Sequence, residues 1–200
     1  VRATWAIAAM SRVYLRQGRV SEAQAGFPRG LALAERLGDE LSQAGLLQAL
    51  GDVARRQNRD ADALVLYQKS AAIAGRLGAE PAIGLAVFSL GALHVKQGRL
   101  SDAETGLKRA LEIAERGGYE MNAANALGAL GSLYLKQGRP DDARQAFERE
   151  AALARRVDDP ATQIAASMNL ASLHYRDKRY PDALQLAQEA LRVAQPSLPI

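Results

Sequence analysis

The chain has no cysteine. This excludes a disulfide framework, a thiolate zinc site and a cysteine nucleophile, and it fits a reducing, cytoplasmic setting. Aromatic residues are scarce, at 5% of 200 residues, while Ala and Leu are abundant. That balance favours helix over sheet. No apolar run approaches the roughly 20 residues needed to cross a bilayer, so no membrane partner is expected. The opening stretch VRATWAIAAM lacks an initiator Met and the charged-then-apolar order of a signal peptide, and is read as the start of a piece of a larger protein. A phosphate-binding G-x-x-x-x-G-K-[ST] loop is also missing.

What the sequence does contain is repetition. Cut at residues 1, 41, 81, 121 and 161, it aligns with itself in five units of 40 residues without a gap. Position 10 reads Met10, Leu50, Leu90, Leu130, Leu170, and position 13 reads Val13, Val53, Leu93, Leu133, Leu173. Positions 23 and 34 are Ala in every unit, from Ala23 to Ala183 and from Ala34 to Ala194. Within a unit the apolar residues advance by three and four, as in Ala123, Leu127, Leu130, Leu133 and Tyr134, and again in Ala143, Phe147, Ala151 and Ala154. Each unit is therefore expected to be a helical hairpin with arms of about 15 and 17 residues. One hairpin cannot bury both stripes, but stacked hairpins can.

The turns supply the punctuation. Gly18, Gly98 and Gly138 follow the first arm, where a left-handed residue stops a helix, and Asn58 and Lys178 take that place in the other two units. Further breaks are expected at Gly38, Gly78, Gly118 and Asp158. Ser21 and Ser101 suit an N-cap, with SDAE at Ser101–Glu104 as a capping box. Position 19 is always Arg, and position 22 is always acidic, from Glu22 to Asp182. These columns read first as helix-end charges that complement the macrodipoles and pair with each other, and only second as a basic ladder for a ligand. Pro28 falls inside a second arm, where a kink or a break is expected.

These residues resemble the tetratricopeptide repeat. The fourth unit gives Leu127, Leu130-Gly131, Tyr134, Ala143 and Phe147; the third gives Val87, Leu90-Gly91, His94, Ala103 and Leu107; the first gives Ile7, Met10-Ser11, Tyr14, Ala23 and Phe27. The resemblance spans the chain. It departs from the usual pattern in its 40-residue period and in lacking the Pro near the end of the second helix. The longer arms with a Gly-Asp link, as in Arg36–Glu40, are similar to the variant found in spindle-orientation scaffolds and bacterial signalling proteins. The resemblance implies a single repeat domain over 1–200 with the fold of a right-handed superhelical α-solenoid. It also implies a concave groove, lined by first helices, that holds a peptide or partner helix.

Carried over by position, that groove would take Trp5, Leu85, Phe88, Asn125 and Met168 from positions 5 and 8. Asn169 comes from position 9, Arg12 and Asp52 from position 12, and Tyr175 from position 15. Position 16 would form a basic rail of Arg16, Arg56, Lys96, Lys136 and Arg176. Such a groove suits an acidic, amphipathic segment of a protein partner and a docking or sensing role in a larger regulatory protein. The paired Lys and Asn that clamp a C-terminal carboxylate in chaperone-binding relatives are not reproduced. His94 and His174 share a position with Tyr14 and Tyr134 and read as packing residues. With no nucleophile beside a base, neither catalysis nor a metal or cofactor is expected.

Two other functions compete. A pI near 9.6 permits nucleic-acid binding, but acids at the same turns and the lack of stacking aromatics argue against it. Self-association, as a homodimer, could cover apolar residues near the end of the chain such as Leu184, Leu191 and Val193.

Overall fold

The computed structural model describes residues 2–195, without the side chains at positions 2, 5, 12, 16 and 20. Its ten helices are α1 (Arg2–Arg16), α2 (Val20–Arg36), α3 (Glu40–Arg56), α4 (Asp60–Arg76), α5 (Glu80–Lys96), α6 (Leu100–Arg116), α7 (Glu120–Lys136), α8 (Pro140–Val157), α9 (Pro160–Arg176) and α10 (Tyr180–Ala194). No strand occurs among the described residues. The fold class is the expected one: all-α, a solenoid-type array of tetratricopeptide-like hairpins. Odd-numbered helices are the first arms of the repeats and even-numbered helices the second.

All nine helix breaks fall where the sequence places them. Gly18, Gly38, Asn58, Gly78, Gly98, Gly118, Gly138, Asp158 and Lys178 each have positive φ, between 49° and 74°. The left-handed residue lets the next N–H reach back onto the ending helix. Arg19 N donates to the Tyr14 carbonyl, Arg59 N to Ala54, Arg139 N to Tyr134 and Arg179 N to His174, each at 2.9 Å. Even Lys178, the residue least suited to that conformation, adopts it at φ 59°.

This geometry overturns the capping assignment at Ser21 and Ser101. The second arms begin at once, so Arg19 and Arg99 occupy the N-cap and the serines lie inside the first turn. The Arg19 N–H is already bonded to Tyr14, so it needs no return bond from an acid. The acid three residues on receives the Arg side chain instead: Arg19–Glu22 at 2.9 Å, Arg59–Asp62 at 2.7 Å, Arg139–Asp142 at 2.6 Å and Arg179–Asp182 at 2.8 Å. The guanidinium groups of Arg19 and Arg139 also lie over the rings of Tyr14 and Tyr134, 4.3 Å from the centroid. Side-chain capping occurs at two links between repeats. Asp39 accepts from Ser42 N at 3.1 Å and Asp159 from Thr162 N at 2.8 Å, and the hydroxyls of Ser42 and Thr162 add further bonds.

Small residues set the spacing of the arms. Ala23, Ala63, Ala103 and Ala143 are fully buried. Gly51 faces the Tyr67 ring and Gly131 the Phe147 ring, so closely that a Cβ on either glycine would meet the ring at 2.4 Å. The Leu-Gly and Phe positions of the repeat signature are thus two halves of one contact. Pro28 does not break α2, which runs through it. The residue is exposed, so its ring displaces no neighbouring arm, and the N–H bond missing within α2 is the cost that remains.

The helices fall into two compact units, Val1–Gln97 and Gly98–Ile200. In the first, α1 packs on α2 and α3, α2 on α3, α3 on α4 and α5, and α4 on α5. In the second, α6 packs on α7, α7 on α8 and α9, α8 on α9, and α9 on α10. First arms touch first arms, whereas α2 does not reach α4, nor α6 α8, nor α8 α10, among the described residues. Within each unit the first arms therefore form the crowded side and the second arms the splayed side.

Candidate functional site: the face of the first helices

The exposed stripe of each first arm follows from the packing. Positions 4, 6 and 13 are buried, as with Ala44, Leu46 and Val53 on α3 or Ala124, Ala126 and Leu133 on α7, and Leu46 and Val53 pack with Ala23 and Phe27 of the preceding hairpin. Among the described side chains, positions 5, 12 and 16 are half-buried or exposed, whereas position 8 ranges from buried Ala8 and Gln48 to exposed Met168. In the first unit α3 contributes Asp52, half-buried, and Arg56, exposed; α5 contributes Leu85, exposed, Phe88, half-buried, and Lys96, exposed. In the second unit α7 contributes Asn125 and Lys136, both exposed, and α9 contributes Met168, Asn169, Tyr175 and Arg176, all exposed except the half-buried Asn169. Trp5, Arg12 and Arg16 lie outside the described side chains.

Several of these residues are already engaged. Asp52 accepts the Tyr67 hydroxyl proton at 2.8 Å; burial first, and the Asp52 charge second, push the Tyr67 hydroxyl pKa well above its usual value. Lys96 is not the solvated cation expected of the rail, because its ammonium bonds Asp60 at 2.8 Å and Asn58 at 3.0 Å. The turn before it presents those two groups at the height of the last turn of α5. Arg56, Lys136 and Arg176 are exposed, with no ion-pair partner among the described residues. Among the described side chains the basic rail is thus three separate cations, one in the first unit and two in the second.

Tyr175 is 66% exposed and packs edge-on against Tyr180, with centroids 5.4 Å apart. Both belong to an apolar cleft of about 640 Å³ between α9 and α10, floored by Ala171, Ala183 and Ala187 and flanked by Leu184. Leu184 and Leu191 are largely exposed and Val193 is partly so. A second cleft, of about 440 Å³, lies along α6 and α8 and is closed by its own ion pairs, Arg149–Glu115 and Arg156–Glu120.

Sequence reasoning missed a polar layer beneath the first-arm face. Gln48 on α3 donates to Ser89 Oγ on α5 at 2.7 Å, both residues buried. Glu150 on α8 accepts from Asn169 Nδ2 on α9 at 3.0 Å and is itself buried. Burial pushes the Glu150 carboxyl up to about 7, against the lowering effect of the Asn169 bond. The signal was visible in the columns: position 30 reads Gly30, Ser70, Ala110, Glu150 and Ala190. Among the described residues, no cluster of three His, Asp or Glu side chains is placed to hold a metal ion, and no helix is long and apolar enough to cross a membrane.

The comparisons with known proteins agree with the fold. No curated protein matches the sequence significantly. Among solved structures, BtubC (BKLC) from P. vanneervenii is similar with a TM-score of 0.78 at 20% identity, over 97% of this chain and 83% of that one. A Rap protein complexed with Competence and Sporulation Factor gives a TM-score of 0.85 at 16% identity, over 96% of this chain and 54% of that one. PilF of Pseudomonas aeruginosa gives 0.73 at 21% identity, over 94% and 77%. At these identities the likeness shows the fold alone. A tetratricopeptide repeat profile matches residues 2–76 and 84–156, and a second one residues 129–199. With its sequence matched over well more than half its length, the chain belongs to the tetratricopeptide repeat family.

Proposed function

We propose that the chain is a docking module that holds a segment of a protein partner on the face of its first helices, as part of a larger regulatory protein. The observation that carries this reading is the crowding of first arms against one another while second arms splay. Crowding makes a continuous shallow face within each unit. Exposed apolar side chains, Leu85 in the first unit and Met168 and Tyr175 in the second, are set among the free cations Arg56, Lys136 and Arg176. A segment with an apolar stripe and acidic side chains complements that surface. The similar Rap protein is complexed with Competence and Sporulation Factor, which supports a partner-binding use of this architecture. Nucleic acid is the poorer fit, because the position-19 arginines are committed to acids in their own turns.

The test is positional crosslinking in the full-length parent protein. Benzoylphenylalanine at Ser132 or Ser172, on the first-arm face, should capture the partner, and the same group at exposed Glu148 on α8 should not. Capture from Glu148 alone would move the docking surface to the second arms and end this reading.

A second reading has its own observation. Met10 and Val13 on α1 are 56% and 51% exposed, although position 13 is buried in the other four repeats by the preceding hairpin or its equivalent. The cleft bearing Tyr175 and Leu184 is apolar. A second copy stacked end to end would cover both surfaces. Sedimentation at rising concentration tests it: Leu184→Glu should abolish any concentration-dependent dimer, and a chain that stays monomeric throughout removes the idea.

A further inference from the structure

Position 30 is a packing position, occupied by Gly, Ser or Ala in four repeats and by Glu150 in the fourth along the chain. Glu150 is only 4% exposed. Room for its carboxylate comes from α7, where Gly128 stands at position 8; a Cβ there would fall 2.4 Å from Glu150 Oε1. The other repeats carry Ala8, Gln48, Phe88 and Met168 at this position. The large residue and the missing side chain are therefore complementary.

The location follows from the other compact unit. There, position 8 of one repeat meets position 9 of the next, as Gln48 bonds Ser89. In the second unit the position-9 residue is Asn169, and it bonds Glu150 Oε2. The carboxylate thus ends where a position-8 side chain would end, on the floor of the first-arm face, beside the Gly128 backbone and the Asn169 amide.

Among the described residues, no cation is placed against this group. The arginines of α8 point elsewhere: Arg144 to Asp177, Arg149 to Glu115 and Arg156 to Glu120, while Arg155 is exposed. Lys136 lies eight residues beyond Gly128 on α7 and Arg176 seven beyond Asn169 on α9, about 12 and 10 Å along their helices. His174 on α9 is five residues from Asn169, and Glu148 on α8 is exposed. Oε2 has one donor, Asn169, and the protein supplies Oε1 with none among the described residues.

We propose that Glu150 is the receptor for one cationic group, a guanidinium or a primary ammonium, carried by the segment that lies across α7 and α9. The proposal rests on the docking reading above and adds an anchor to it: the partner's acidic flanks face Lys136 and Arg176, and one basic side chain seats over Gly128. A cation there supplies the missing counter-charge and holds the carboxylate ionised. Binding then releases a proton wherever the free protein holds one on Glu150.

The experiment uses n-butylguanidinium as probe and n-butylurea as its neutral isostere, with the carboxyl of Glu150 and the side-chain amide of Asn169 followed by NMR. Butylguanidinium should shift both signals saturably and move the Glu150 midpoint from near 7 to about 6 or lower, a tenfold preference for the ionised form. Butylurea should do neither. Glu150→Gln, which keeps an acceptor for Asn169, should lose the response. Gly128→Ala provides an independent check, because it crowds the carboxylate without removing its charge and should weaken the response at least several-fold. An equal response to both probes, or a response that survives in Glu150→Gln, overturns the proposal. The two readings fail separately: crosslinks at Ser132 and Ser172 without any cation response at Glu150 would sink only the anchor, whereas capture from Glu148 alone would sink the docking reading.

Discussion

The same junction is built twice, once in each compact unit, from different chemistry. Between the second and third repeats, Gln48 reaches Ser89 with a neutral amide. Between the fourth and fifth, Glu150 reaches Asn169 with a carboxylate delivered from another helix through the gap at Gly128. Both versions fill the same space and tie one repeat to the next. The difference lies in what titrates. The first junction holds no ionisable group, so pH leaves it alone. The second holds a carboxyl whose pKa is raised from 4.5 to about 7 by burial. The repeat therefore constrains volume and leaves charge free to vary, and a functional group enters where a neighbouring position gives up its side chain.

The largest expected effect separates the two junctions by pH. Below about pH 4.5 the Glu150 carboxyl is protonated whether the chain is folded or not, and it costs nothing. From 4.5 to about 7 the unfolded chain ionises while the folded one does not, so stability falls as pH rises; above 7 both forms are ionised and the loss levels off. The fall should be about 3 kcal/mol. Glu150→Gln should remove it, as read from denaturant melts at pH 5 and pH 8. Glu104 gives the opposite sign in a lower window. Its carboxyl is pulled down to about 2, chiefly by the Lys108 bond, with Gln137 and Arg139 adding to it. That contribution is intact above pH 4.5 and disappears as pH falls toward 2. A melt series in which Glu150→Gln keeps the wild-type slope between pH 5 and pH 7 would mean that the carboxyl is hydrated in the folded state.

Next in size, the two units should respond alike where they share a contact. Gly51→Ala and Gly131→Ala each push a Cβ to 2.4 Å from an aromatic ring, of Tyr67 and Phe147 respectively. Each should cost about 1–3 kcal/mol through overpacking. Ala143→Leu belongs to the same class, since Ala143 is fully buried where the arms meet. A neutral result at one glycine and a large loss at the other would show that the two units pack by different rules.

A smaller test probes the neutral junction itself. Ser89→Ala leaves the Gln48 amide buried without its partner. The expected loss is about 1–2 kcal/mol, with no pH dependence. Because Gln48 Oε1 is already without a partner among the described residues, the double change Gln48→Leu with Ser89→Ala should recover most of that loss. Failure to recover would place a bound water at Gln48 Oε1 that both variants lose.

How much of this was legible follows from which physics is local. The helix breaks were readable because stopping a helix is a matter of one left-handed residue, and Gly, Asn or Asp stood in eight of the nine places; Lys178 was recovered only because the period required a turn there. Buried Ala23, Ala63, Ala103 and Ala143 were readable as columns that tolerate no other residue. The N-caps lie two residues before Ser21 and before the Ser101 capping box that the sequence offers. The backbone bond from Arg19 to Tyr14 had already satisfied the group a capping box would serve. Lys96 reads in sequence as one more member of the rail because its partners, Asn58 and Asp60, come from the preceding repeat. Glu150 belongs to no cluster of reactive side chains in the sequence, and its mark is one large residue in a column of small ones.

The smallest effect is expected where the repeats vary most freely. Position 17 of one repeat meets position 24 of the repeat before it. The pair is Gln57 with Gln24, Gln137 with Glu104, and Asp177 with Arg144. Three chemistries occupy one site, and each is complementary, which suggests that the contact steers register more than it stabilises. Arg144 and Asp177 are about a third exposed, and exposed ion pairs contribute on the order of 0–1 kcal/mol. Replacing both by Gln, to copy the first unit, should change stability by less than about 0.5 kcal/mol. Reversing Arg144 alone to Glu sets two acids against each other and should cost no more than about 1 kcal/mol, with salt reducing the loss. The measurement is a double-mutant cycle from urea melts at low and moderate salt. A coupling above about 2 kcal/mol that persists in salt would show that this pair is a structural lock between the fourth and fifth repeats. The carboxylate of Glu150 would then not be the only charged element that distinguishes the second junction from the first.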